Sequence, residues 1–306
     1  MHDFAKELPE PVKFYTSYEA MCADPEIDAV FVGTPNQWHA PVALEAVRND
    51  KHVLITKPLA DALAPAQELV DVAEAAGVVN MMSLSTRFAE SVRYLSRLVS
   101  AGDLGDVYYA RARSIRRSGI PDWSPGFILA GGGAFRDMGV HVLDAVWWLM
   151  GMPEPVSVTG VAGAKFGPRG QGYWQYRSQD EAFYCQYDCD DYGGGFIRFA
   201  NGAGLQIESF WASHQKDEFQ IELFGTEAGA TLDPLTIYRT VCGAPHDATV
   251  KLPGGPTAWD VIADHFITCI LDGVSCEAPL RHGLIIQTMM EGLLESAKTG
   301  QEVRLA

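Results

Sequence analysis

Asp137 and His141 stand four residues apart in Gly131-Gly132-Gly133-Ala134-Phe135-Arg136-Asp137-Met138-Gly139-Val140-His141. On an α-helix that spacing puts both side chains on one face. A carboxylate beside an imidazole orients it and raises its basicity, which suits moving a proton to or from a hydroxyl near neutral pH. The same spacing also describes an ordinary surface or capping pair. Lys57 follows an apolar run in Ile55-Thr56-Lys57-Pro58. An ammonium there can hydrogen-bond a reacting oxygen and favour its alkoxide, or it can be a solvated strand-end lysine. A third stretch, Thr34-Pro35-Asn36-Gln37-Trp38-His39, sits where an apolar strand gives way to a helix. Ligands of open α/β sheets bind at such strand ends, although Thr34 or Asn36 could simply cap the helix.

These residues need elements to hold them. The first ninety residues alternate strand and helix signals: strand Ala29–Val32, helix His39–Asn49, strand His52–Thr56, helix Ala64–Ala76 closed by Gly77, and strand Val78–Leu84. Short apolar strands separated by helices imply a parallel sheet covered on both faces. After Arg87 the pattern changes. A helix is predicted over Ser91–Ser100, a strand over Val107–Ile115 and an apolar helix over Asp137–Met150. Mostly strands follow, at Val156–Val161, Gly194–Phe199, Gly204–Trp211 and Glu218–Phe224, before a last helix over Gly283–Lys298. The fold class is therefore α/β: a Rossmann-like parallel sheet in residues 1–88, then an α+β domain with a large, mostly antiparallel sheet in residues 89–306. In Gly204–Trp211, Leu205, Ile207, Ser209 and Trp211 alternate onto one face, which suggests a surface covered by something.

Composition narrows the function class. A net charge of −16 over 306 residues disfavours nucleic acid and anionic membranes as partners. No apolar run is long enough to span a bilayer and no secretory signal opens the chain, so a cytoplasmic location is expected. Six cysteines without a C-x-x-C pair are expected to be reduced there. Cys185 and Cys189 are too few for a convincing zinc site, and no metal is expected.

Taken together and in order, the three stretches resemble the Gfo/Idh/MocA family of oxidoreductases. Ala29–His39 resembles its strand ending in a TPN-x-x-H turn, His52–Pro58 its HV-x-x-EKP segment, and Gly131–Asp144 its GGG-x-x-x-D-x-G-x-H-x-x-D segment. The resemblance extends to the closing helix at Leu294–Gly300. It implies an NAD- or NADP-dependent enzyme that moves hydride between nicotinamide and a hydroxyl or carbonyl of a sugar, polyol or glycoside. By the same resemblance Lys57, Asp137 and His141 are catalytic, with His141 as general base, Asp137 orienting it and Lys57 polarising the substrate oxygen. Thr34, Pro35, Asn36, His39, Lys57, Pro58 and Arg87 would lie along the cofactor. A homo-oligomer formed through the C-terminal sheet is also implied.

Two departures stand out. Thr56 occupies the position of the family's glutamate before the lysine. The first βαβ unit, with its G-x-G-x-x-G phosphate loop, is missing, since Gly33 is the only glycine before Lys57. Phe4–Leu8 looks like the tail of the family's second helix. The chain therefore reads as an N-terminally truncated member. The alternatives are a non-catalytic sugar-binding form or a partner that supplies the missing half. In the second region Arg117, Trp123 and Trp174 are expected to bind substrate, because aromatic faces pack on sugar rings and arginines bond hydroxyls.

Overall fold

The computed structural model describes residues 12–305, so the Phe4–Leu8 reading lies outside the described residues. A short helix α1 (Tyr18–Cys22), capped by the Ser17 side chain, leads into strand β1 (Ala29–Val32). Helix α2 (His39–Arg48) returns the chain to β2 (His52–Ile55), and α3 (Leu63–Ala76) returns it to β3 (Asn80–Met82). The three strands pair in parallel in the order β1-β2-β3, in register Val30–Val53 and Leu54–Met81. Val53 and Ile55 have no exposed surface, whereas Phe31 on the edge strand is 59% exposed. That contrast is what a sheet buried on both faces gives at its centre and loses at its rim.

Helix α4 (Glu90–Ser100) and β4 (Val107–Ile115) open the second region. The helix expected over Asp137–Met150 begins instead as one π turn over Phe135–Gly139, and only then becomes the α-helix α5 (Val140–Leu149). Strands β5 (Pro155–Gly163), β6 (Tyr192–Phe199), β7 (Gly204–Phe210) and β8 (Glu218–Gly225) follow, with a short helix α6 (Glu181–Tyr184) between β5 and β6. The sheet is completed by β9 (Gly229–Thr231) and the hairpin β10 (Thr236–Val241) and β11 (Ala244–Thr249). Cys242 and Gly243 form the hairpin's two-residue turn, both with positive φ, as a tight hairpin requires. With β12 (Val303–Arg304) these make a nine-stranded sheet, antiparallel except for the β4–β7 pair.

Leu205, Ile207, Ser209 and Trp211 do share one face, but it points inward and all four are fully buried. The chain's own elements cover that face: the Ser209 hydroxyl donates to Ala134 O at 2.9 Å. The expected cover is supplied by the chain itself and not by a second copy; alternation shows which side is apolar and cannot show what lies over it.

Two helices close the chain. The sequence reading overlooked α7 (Ala258–Asp272), which starts with a capping box of Thr257 and Asp260 and ends at left-handed Gly273. Helix α8 (Leu280–Thr299) reaches back to the first sheet. Gln287 donates to Ala60 O at 3.1 Å and accepts from Ala60 N–H at 3.3 Å, while Met82 N–H donates to Ala278 O at 2.9 Å.

Candidate active site

The strand ends of β1 and β2 face the glycine segment across a cleft. A cavity of about 580 Å³ is lined there by Thr34, Pro35, Asn36, His39, Lys57 and Pro58 on one side and by Phe127, Leu129 to Gly133, Arg136 and Asp137 on the other. The Asn36 amide reaches across it to Gly131 O at 3.5 Å. The glycines fit because nothing larger would. A β-carbon on Gly132 would lie 2.0 Å from Phe127 O, and one on Gly133, at φ +107°, would lie 2.1 Å from the Asp190 carboxylate. Asp190 accepts from Phe135 N–H at 2.9 Å and so holds the start of the π turn.

His39 ties the two strand ends together. It is 1% exposed, with Nδ1 2.6 Å from Pro58 O and Nε2 2.7 Å from Thr34 O. Thr56 joins this tie: its hydroxyl donates to Val32 O at 3.2 Å and lies 3.2 Å from His39 Nε2. A glutamate here would place a longer, charged side chain where Thr56 makes a short local bond.

Lys57 Nζ donates to Asp137 Oδ1 at 2.5 Å and to Asp137 O at 2.9 Å. Trp211 Nε1 donates to Asp137 Oδ2 at 2.9 Å. Burial opposes the Asp137 charge, but the Lys57 ammonium, the Trp211 N–H and nearby His141 outweigh it and hold the carboxyl below its usual range. Both carboxylate oxygens are thus engaged, and no hydrogen bond joins Asp137 to His141 among the described residues. Asp137 therefore acts on His141 through its charge and not through a hydrogen bond, because the two donors draw the carboxylate toward Lys57 and Trp211. Burial and the Lys57 ammonium pull the His141 imidazole down from 6.5 to about 4, Asp137 pulls it up, and Arg116 adds a smaller downward effect. His141 is consequently neutral, the form that accepts a proton, at physiological pH.

A second cavity of about 560 Å³ opens beyond the π turn, lined by Met138, Arg116, Ser118, Trp174, Lys216 and Asp217 among others. The Arg116 guanidinium lies 5.0 Å from the Trp174 ring centroid. Trp174, which the sequence analysis expected to bind substrate, lines this second cavity. Arg117 does not: its side chain turns to Gln215 O at 3.2 Å and its backbone N–H donates to Asp217 Oδ1. Arg116 lines that cavity instead, because adjacent residues at a strand end point to opposite sides. Trp123 lines neither cavity; it is 60% exposed and packs edge-on against Phe127 and Trp174.

Arg87 is also corrected. It has no exposed surface and lies in the core, not along the cleft. Its guanidinium donates to Asp144 at 2.5, 2.8 and 2.9 Å and to Glu277 O at 2.9 Å. Trp147 and Trp148 stack over it at 5.9 and 5.8 Å. A strand-end arginine looks the same in sequence whether it faces a ligand or a buried carboxylate. Of the pair Cys185 and Cys189, the first is exposed and the second directs its thiol to Phe127 O at 3.5 Å.

The residues present fit the nicotinamide and ribose end of a dinucleotide. The cleft lies at the carboxyl ends of parallel strands, offers the Lys57 and Asn36 donors, and has Pro35, Phe127 and Leu129 as apolar walls. No residue in the sequence forms the glycine-rich phosphate loop.

Comparison with known proteins agrees. Over 291 residues the chain is 31% identical to D-glucoside 3-dehydrogenase of Escherichia coli, covering 94% of this chain and 82% of that protein. It is 26% identical to scyllo-inositol 2-dehydrogenase (NAD(+)) of Bacillus subtilis, over 84% of this chain and 71% of that one. The fold superposes on levoglucosan dehydrogenase in complex with NADH and levoglucosan with a TM-score of 0.80 at 22% identity, over 95% and 83% of the two chains. The family described as "Oxidoreductase family, NAD-binding Rossmann fold" matches residues 2–84, and the GFO/IDH/MocA C-terminal domain matches residues 92–231. The chain thus belongs to the GFO/IDH/MocA family of NAD-binding oxidoreductases.

Proposed function

We propose that the protein is a dehydrogenase or reductase that uses NAD or NADP on a CH–OH group of a sugar, polyol or glycoside. The observation that carries this reading is the Lys57–Asp137 ion pair on the wall of the cleft, with Met138 of the same π turn on the second cavity and a neutral His141 near enough to feel both charges. Nicotinamide, when bound in the cleft, supplies or accepts the hydride. The Lys57 ammonium donates to the substrate oxygen and lowers the energy of its alkoxide form. His141 Nδ1 or Nε2 takes the hydroxyl proton on oxidation and returns it on reduction. Asp137 keeps Lys57 in place and offsets part of the positive charge that His141 acquires. Arg116 and Trp174 line the cavity that receives the rest of the substrate, one as a hydrogen-bond donor and the other as an apolar face for the ring.

Lys57→Ala is expected to lower kcat by about 10²–10³, the loss typical when a donor to a developing oxyanion is removed. KM should rise with it, because the ammonium faces both ligands. A panel of glycosides, hexoses and inositols, assayed with NAD and NADP in the holoenzyme, tests the reading. Turnover of none of them, or wild-type turnover in Lys57→Ala, would sink it.

We further propose that residues 1–88 serve the cofactor and 89–306 the substrate, and that copies associate through the outer face of the nine-stranded sheet. That face carries Tyr109 against Phe196 and Phe224, and the ion pairs of Arg111 and Arg113 with Glu222 and Glu218. Light scattering should give a mass above one chain; a monomer at every concentration overturns the assembly. All six cysteines are free, which supports a cytoplasmic setting. No helix among the described residues is long and apolar enough to cross a membrane.

A further inference from the structure

Away from the cleft, three soft donors converge where α7 ends. His265 and Cys269 are four residues apart on the helix and so share a face, and Cys276 follows the turn at Gly273. Nε2 of His265 and the two thiol sulfurs all lie within 4.8 Å of one another. The His265 Nε2 to Cys269 Sγ distance is 3.5 Å. Zinc bonds of about 2.0–2.1 Å to nitrogen and 2.3 Å to sulfur place tetrahedral donors about 3.5–3.8 Å apart, so one pair is already at bonding separation. The ring is also in the right tautomer. Nε2 accepts the Glu277 backbone N–H at 2.9 Å, so it is the unprotonated nitrogen of the ring.

We propose that His265, Cys269 and Cys276 bind one zinc ion, with the fourth position taken by water. Two thiolates and a neutral imidazole suit zinc by softness and by charge. Two negative charges cancel the ion's, so the site stays neutral beside the Arg87–Asp144 pair, which is itself neutral. Cys269 is 3% exposed, while His265 and Cys276 are half-buried, which leaves an entry path on their side. Zinc displaces the Glu277 N–H from Nε2. It fastens the end of α7 to residues 276–278, whose carbonyls already hold Arg87 and Met82. The sequence reading missed the site because its donors are spread over a helix and the loop after it, in an H-x₃-C-x₆-C spacing outside the familiar zinc patterns.

The test uses the full chain, stripped of metal and kept reduced. Competition with a chromophoric chelator should show one zinc per chain. Cobalt added in its place should give an intense tetrahedral d–d spectrum with a thiolate charge-transfer band. Cys269→Ser and Cys276→Ser should each weaken zinc binding by more than about 100-fold, since even outer partners of a ligand cost about 10–100-fold. A second measurement needs no variant: zinc should protect Cys269 and Cys276 from alkylation while exposed Cys185 and Cys242 react as before. Less than one zinc per chain at saturation, unchanged affinity in both variants, or equal alkylation of Cys269 and Cys276 with and without zinc would each overturn the site.

Discussion

His141→Ala should lower turnover in the holoenzyme by about 10²–10⁴, the usual contribution of a general base, while cofactor affinity stays close to that of the native protein. The asymmetry follows from geometry. His141 lies in the first turn of the α-helix that follows the π turn and lines neither cavity, so its loss removes no wall of the cleft that fits nicotinamide. Its pH dependence gives a second, independent handle. The imidazole is held near 4 by burial and by the Lys57 ammonium, against the pull of Asp137. The basic form exists above that pKa, so the rising limb of kcat/KM against pH is expected near pH 4. Asp137→Asn removes the group that favours the imidazolium, so the pKa falls and the limb moves to lower pH. Lys57→Met removes a positive neighbour, so the pKa rises and the limb moves to higher pH, on a residual rate. Steady-state profiles of the three proteins decide the matter. Opposite displacements are the signature of a base set between these two charges, and an unmoved limb in both variants would remove His141 from that position. Wild-type turnover in His141→Ala would remove it from the chemistry.

The second large effect concerns stability. Arg87→Met leaves the Asp144 carboxylate fully buried without its three hydrogen bonds, and should destabilise the protein by about 3–5 kcal/mol. Burial already pushes the Asp144 carboxyl up, with Arg87 opposing it, so the single variant should be the more acid-tolerant of the two states: Asp144 protonates and relieves part of the cost as pH falls. Arg87→Met combined with Asp144→Leu should recover most of the loss, because no unpaired charge remains in the core. Urea unfolding monitored by Trp147 and Trp148 fluorescence measures both. A single variant within about 1 kcal/mol of the native protein, the size of an exposed pair, would mean the ion pair holds nothing together. A double variant as damaged as the single one would shift the burden to the Glu277 carbonyl that Arg87 also satisfies.

The sequence by itself determined the parts of this protein that depend on local pattern. Apolar runs of four or five residues between helical periods called for a parallel sheet covered by helices. Alternation from residue 107 onward forced the large sheet. The stretches Thr34–His39, Thr56–Pro58 and Gly131–Asp137 stood out as candidates and all contribute to one cleft, because strand ends and glycine-bound turns put side chains on a common edge wherever the chain runs. Only the tertiary structure decided which partner each charged side chain found. Lys57 and Asp137 are eighty residues apart and meet because β2 ends opposite the π turn. Trp211, on no motif, completes the carboxylate's hydrogen bonds. Arg87, which the motif placed on the cofactor, is in the core because Asp144 comes up beneath it from α5. The inward face of β7 could not be told from an outward one, and the donors of His265, Cys269 and Cys276 belong to no repeating pattern at all. Periodicity is a property of neighbours along the chain. Charge pairing, helix winding and donor convergence are set by distances between segments, and those exist only once the chain has packed.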